Sequence, residues 1–183
     1  MKKIQLFMTL FIIFLMVSSI IGFLFPYGDS LAGPANGNLV FNGVEFLPTQ
    51  DQRWIALNKD KQYIFDHLPS ELSEITFPYN PAEEDKVYVV YNPSELTQAT
   101  EYLTQKTAYN LQLEGKEAIL ACTTLEGCNQ FTVQDCTKSA IYLKTNLEKE
   151  SVFKDQNCLV IEGDTFYQSK VIDKIIQKTI GIE

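Results

Sequence analysis

Residues 4–25 (IQLFMTLFIIFLMVSSIIGFLF) carry no charged side chain and follow directly on Lys2 and Lys3. As a helix at about 1.5 Å per residue this run reaches about 33 Å, enough to cross a hydrocarbon core of roughly 30 Å. Beyond it the apolar positions break into short runs separated by polar turns, the pattern of a folded domain. Residues 26–38 (PYGDSLAGPANGN) are rich in Gly, Pro, Asn and Ala and read as a linker. The chain therefore divides into an anchor (1–25), a linker (26–38) and one domain (39–183), which is long enough to bury its own core.

Within the domain, Leu39–Phe41 and Val44–Phe46 flank Asn42-Gly43. Asn-Gly between short apolar strands predicts a hairpin, because both central residues of a type I′ turn need positive φ. Trp54–Leu57 and Gln62–Phe65 flank Asn58-Lys59-Asp60-Lys61 and predict a second hairpin. Pro69, Pro78 and Pro81 then interrupt the chain, and Glu83-Glu84-Asp85 reads as a solvated loop.

The middle of the chain changes character. Lys86–Tyr91 (KVYVVY) is a near-continuous apolar run suited to a strand buried on both faces. Asn92-Pro93-Ser94-Glu95 predicts a helix start, with Asn92 as cap, Pro93 at the first position and Glu95 closing a capping box. The helix is expected to run to about Tyr109, with Leu96, Ala99, Leu103 and Ala108 inward. Ala118–Ala121 follows as a buried strand ending at Cys122, which completes a βαβ unit. The last third predicts a cysteine-bearing loop (123–137), short strands at 140–143 and 151–153, and a buried strand at 158–161. Gly163-Asp164 then leads into a helix over about 165–180. Val171, Ile172, Ile175, Ile176 and Ile180 share one face of that helix, and Gly181 closes it as a C′ residue. The fold class is α+β: N-terminal hairpins, then a mixed sheet with two packed helices.

Charge sharpens the picture of the two ends. No Lys or Arg follows Lys3 until Arg53, which predicts the N-terminus on the cytoplasmic side and the domain outside. Two readings of the apolar segment stand. Its length favours an uncleaved single-pass anchor held in the lipid bilayer through residues 4–25. Ser30-Leu31-Ala32, however, offers small residues where a signal peptidase cuts, giving a secreted domain after cleavage near Ala32. Pro34 follows Leu31-Ala32-Gly33, so no lipidated cysteine is expected. The final helix carries Lys170, Asp173, Lys174 and Lys178 and does not span. All 23 acids follow residue 25 but only 13 of the 15 bases do, leaving −10 on the domain and linker. Such a balance argues against nucleic acid and against anionic headgroups as partners.

Cys122, Cys128, Cys136 and Cys158 all lie in the exported part, and their even number reads as two disulfides. Zinc and thioredoxin-like sites both want C-x-x-C, which is absent, and the sole histidine, His67, is distant in sequence. Among three possible connectivities, Cys128–Cys136 with Cys122–Cys158 is preferred; it requires the strands bearing Cys122 and Cys158 to be antiparallel neighbours. No metal site, cofactor site or catalytic motif is expected. Glu45, Asp135, Glu162 and Asp164 are carboxylates a hydrolase would need in pairs, but their spacing selects no pair. A Cys-His nucleophile needs an unpaired thiol, which the even count opposes. One positional candidate remains. The turns holding Asn92 and Ser94, and Asp164 and Thr165, each join a strand end to a helix start. Parallel neighbouring strands would aim both at one ligand crevice, while Asn92 and Asp164 acting as caps would use up the same donors. Trp54, Tyr63 and Phe65 are expected in the core rather than on an aromatic platform.

Asp135-Cys136, the segment Cys158-Leu159-Val160-Ile161-Glu162-Gly163, and Gly181-Ile182 give the last half of the chain an outline. It resembles uncharacterised archaeal single-pass membrane proteins with a small exported cysteine-containing domain. That resemblance implies an architecture and no activity. The expectation is a non-enzymatic binding or interaction module, stapled by disulfides and serving an unknown protein partner. A cell-envelope hydrolase using paired carboxylates, or a thiol redox protein, are the alternatives. A flat apolar patch would favour the module, and an unpaired exposed cysteine the redox protein.

Overall fold

The computed structural model describes residues 37–128 and 131–182. The proposed anchor, the potential cleavage site and most of the linker lie outside the described residues. Among the described residues no helix is long and apolar enough to cross a membrane.

Both predicted hairpins form. Strands β1 (Leu39–Phe41), β2 (Val44–Pro48), β3 (Trp54–Asn58) and β4 (Lys61–Phe65) make an antiparallel meander in sequence order. Asn42 (φ 48°) and Gly43 (φ 81°) take the left-handed conformation that the first turn demands. Lys59 (φ 49°) and Asp60 (φ 64°) do the same in the second turn without a glycine.

The larger sheet contains β5 (Lys86–Tyr91), β6 (Glu117–Cys122), β7 (Thr132–Val133), β8 (Ala140–Thr145), β9 (Ser151–Asp155) and β10 (Cys158–Gly163), in the order β7-β6-β5-β8-β10-β9. All neighbours are parallel except β9 on β10. Helix α1 (Gln98–Leu113) links β5 to β6, and α2 (Thr165–Thr179) follows β10. Strand alternation splits β5 between two faces. Val87 and Val89 join the main core with Leu103 and Leu111 of α1, Ile172 and Ile176 of α2, and Phe46, Tyr63 and Phe65 of the small sheet. Tyr88 and Val90 pack on the opposite face with Ala140, Cys158 and Val160. A strand buried on both faces reads as the unbroken apolar run seen here. The helices thus lie between two sheets: isoleucines of α2 meet the large sheet, while its Asp173 receives hydrogen bonds from the end of the small one.

Two local expectations are corrected. Asn92 caps a 3-10 turn (Pro93–Glu95), not the α-helix, which starts at Gln98 with Thr97 as cap (Thr100 N to Thr97 Oγ1, 3.1 Å). The extra turn leaves Leu96 and Ala99 exposed, because they precede or open the helix and never reach the sheet. The helix then continues past Tyr109 to Leu113.

The cysteines pair as Cys122–Cys128 and Cys136–Cys158, not as preferred from sequence. Cys122 ends β6 and Cys158 begins β10; these strands are parallel, with β5 and β8 between them. The two thiols therefore sit at opposite ends of parallel strands, with two strands between, and each bonds to a cysteine in an adjoining loop. All four cysteines are bonded, the chemistry of a domain held in an oxidising environment.

Candidate functional site

The small sheet turns one face to the core: Phe46, Ala56 and Tyr63 lie in register across it and are fully buried. Alternation sends their neighbours outward. One outer row is Val40, Glu45, Leu57 and Gln62; the other is Leu47, Ile55 and Ile64. Five of these seven side chains are aliphatic. Val40 is 65 % exposed, Leu57 40 % and Ile64 39 %, with Leu47 and Ile55 half-buried beside them. The Glu45 carboxylate accepts a hydrogen bond from the Asn38 amide at the rim. Strand spacing and rise give this face an extent on the order of 300 Å². That is the scale of the largest apolar patch on a typical monomer, which is often functional.

The crevice residues are placed as follows. Strands β5, β8 and β10 are parallel, so Asn92 and Asp164 do share one edge of the large sheet, with β8 between them. Each turn uses its own donors. Asn92 Oδ1 accepts from Ser94 N (3.2 Å) and Ser94 Oγ (2.9 Å), and Asp164 Oδ1 accepts from Tyr167 N (2.7 Å), two residues beyond Thr165. Glu95 bridges the gap at the end of β8: Oε1 accepts from Asn92 Nδ2 (2.7 Å) and Oε2 from Thr145 N (3.2 Å). An open groove of about 460 Å³ runs beside Asn92, Pro93 and Ser94 toward Thr124, Glu126 and Gly127. Asp164 and Thr165 do not line it.

The sequence pattern gave no sign of the cluster where the two helices meet the small sheet. Asp173 of α2 is fully buried; its Oδ1 accepts from Lys106 Nζ (2.7 Å). Its Oδ2 accepts from Asp66 N (2.8 Å), His67 N (3.0 Å) and His67 Nδ1 (3.1 Å). Lys106 also donates to Asp66 Oδ2 (2.6 Å), which takes Ser169 Oγ as well (2.7 Å). Gln177 Nε2 donates to the His67 carbonyl (3.0 Å). Burial lowers the Lys106 pKa, but Asp173 and Asp66 outweigh it and hold the ammonium above its ordinary value. Burial likewise raises Asp66, and Lys106 more than reverses this. Lys106 thus serves as the shared counter-ion of Asp66 and Asp173.

Of the four carboxylates singled out in the sequence, Glu162 alone gathers a dense set of partners. Lys144, Asn146, Lys149 and Ser151 all donate to it at the C-terminal end of β10. The Lys144 and Asn146 hydrogen bonds, with that of Lys149, bring its pKa down to about 2. A depressed carboxylate stabilises the fold above its ordinary pKa of 4.5, and that contribution fades as pH falls toward about 2. Urea unfolding of Glu162→Gln should therefore show a weaker loss of stability than the parent between those values. An unchanged acid limb would contradict this ion-pair account. Glu45, Asp135 and Asp164 engage Asn38, Thr137 and Tyr167 respectively, each at its own turn or edge, and the structure gathers none of them into a pair.

No protein-family model, curated protein or solved structure matches the chain.

Proposed function

We propose that this chain is a single-pass membrane protein whose C-terminal domain is a disulfide-stapled interaction module outside the cell. Residues 4–25 would sit in the bilayer and the N-terminus in the cytoplasm. The observation that carries the interaction role is the aliphatic outer face of the small sheet, an exposed apolar surface carried on paired strands. The paired cysteines support the compartment, and the Lys2-Lys3 flank supports the orientation. The carboxylate hydrolase is the weaker reading. The acids brought together, Asp66 and Asp173, share one lysine, whereas such an enzyme needs one carboxyl kept protonated.

Membranes from intact cells, washed in carbonate and alkylated without reduction, test this. The expected result is intact protein in the pellet with no added label, and loss of the domain when intact cells are treated with protease. A mass lacking residues 1–32 in the medium would replace the anchor with a secreted domain. Two or more labels, or protection from external protease, would overturn the extracytoplasmic reading.

A further inference from the structure

We infer that the partner of the small sheet's outer face is a second copy of this chain, docked face to face. The inference rests on the anchored-module reading above. The chemistry of the face selects the occupant. It offers Val40, Leu47, Ile55, Leu57 and Ile64 in two rows, with no aromatic side chain and no Lys or Arg among its seven outward positions. Surfaces that settle on lipid combine bulky apolar groups with basic ones. Aliphatic rows on a pleated surface are what two sheets interdigitate when they stack about 10 Å apart. Homodimer interfaces are also the more apolar class, and two-fold pairing uses one patch twice.

Charge agrees. The domain and linker carry −10, a net charge that opposes the approach of two copies. On this face the one acid, Glu45, lies in a row otherwise made of Val40, Leu57 and Gln62, and its carboxylate is already hydrogen-bonded to Asn38. Here two acidic domains meet with a single acid among the seven outward positions of each.

Size then fixes the strength. Two faces of about 300 Å² bury on the order of 600 Å² together, half of what specific complexes usually need. The contact is weak in dilute solution. Copies tethered to one membrane through the linker at 26–38 meet at a far higher effective concentration, of the order of millimolar.

The test uses the full chain, whose native cysteines are all bonded, so that one introduced thiol is unique. Leu57→Cys places it on the face; Leu147→Cys, 85 % exposed beyond β8, is the control. In proteoliposomes, a short bis-maleimide should link L57C into dimers at least about tenfold more than L147C. Adding Ile64→Lys should abolish the excess without lowering the melting temperature. In dilute detergent L57C should stay monomeric. Equal linking of the two variants, or an excess that survives Ile64→Lys, overturns the proposal. An environment-sensitive dye on L57C that shifts to the blue at one copy per vesicle would assign the face to lipid and also overturn it. Failure of the chain to enter vesicles at all would strike the anchor reading instead.

Discussion

Asp173→Ala is expected to lower the unfolding free energy by about 4 kcal/mol, the scale for removing one partner of a buried ion pair. The Asp173 side chain has no exposure and receives four hydrogen bonds. Alanine would strand Lys106 with Asp66 alone, and that lysine side chain is only 5 % exposed. It would also leave the Asp66 and His67 backbone N–H groups, which end the small sheet, without their acceptor. For a domain of this size the midpoint of thermal unfolding should fall by roughly 10–15 °C. Asp173→Asn separates the two losses. Its amide oxygen can still accept from the backbone donors, but it no longer offsets the ammonium, so an intermediate cost is expected. A melting temperature for Asp173→Ala within a few degrees of the parent would remove the cluster from any role in joining the layers. The cluster also has a pH signature. Lys106, with its raised pKa, stabilises the fold below the ordinary lysine value of 10.5, and this is lost as pH rises through the raised value. Asp66 acts oppositely: its contribution stands above 3.8 and is lost as pH falls through the depressed value.

That cluster also marks the limit of what the pattern of residues conveys. The period-2 and apolar-run signals placed every long strand, because a strand declares its burial through its own sequence. The isoleucine stripe of α2 was equally plain. The other stripe of that helix, Ser169, Asp173 and Gln177 at i, i+4 and i+8, has the look of a solvated face. It is buried because a second sheet covers it, and the helix sequence holds no record of that sheet. Helix α1 hides its inner face in the same way. Leu103 and Ala108 face inward as expected, and Thr100, Thr104, Thr107 and Asn110 are buried alongside them. Thr104 and Thr107 donate to the carbonyls of Glu101 and Leu103 on their own helix, so their burial leaves no unmet hydroxyl. Lys106 then reads as one more surface charge until Asp66 and Asp173 arrive from 40 and 67 residues away.

The crevice and the disulfides show a related limit. Asp164 caps its helix as the sequence suggests, whereas Asn92 caps a 3-10 turn ahead of α1, and the strands that lead into the two turns are parallel but separated by β8. Glu95 reads from sequence as part of a capping box; its second oxygen reaches Thr145 on β8, a contact only the strand order reveals. The preferred cysteine pairing failed for the same cause. Spacing limits which loops can close, but the edge on which each thiol lies depends on strand direction. The outer face of the small sheet was legible in part: both hairpins follow from their turns, and alternation then dictates which residues look outward. Which of the two faces meets the helices is set by Phe46, Tyr63 and Phe65, the bulkier set.

Reduction of both disulfides is expected to cost about 5 kcal/mol, and most of it should come from Cys136–Cys158. In the loop-entropy account a crosslink over a separation of 22 residues restrains the unfolded chain by a little more than 3 kcal/mol, and one over 6 by about 2. Position reinforces the ranking. Cys158 is fully buried at the start of β10, where it packs with Tyr88, Val90, Ala140 and Val160, and Cys136 lies against that group. Cys122–Cys128 ties a short loop beside Tyr91 at the far edge. The paired variant Cys136→Ser/Cys158→Ser should therefore lose more stability than Cys122→Ser/Cys128→Ser by urea titration, and its hydroxyls would sit in an apolar site besides. The Cys122–Cys128 variant should keep the large sheet intact, with its loss confined to faster amide exchange over residues 123–128. The opposite ranking would show that the unfolded chain is not what the longer bond restrains. Equal, near-zero costs would mean that the layers hold without either bond, and that the thiols are kept for exchange chemistry rather than as staples.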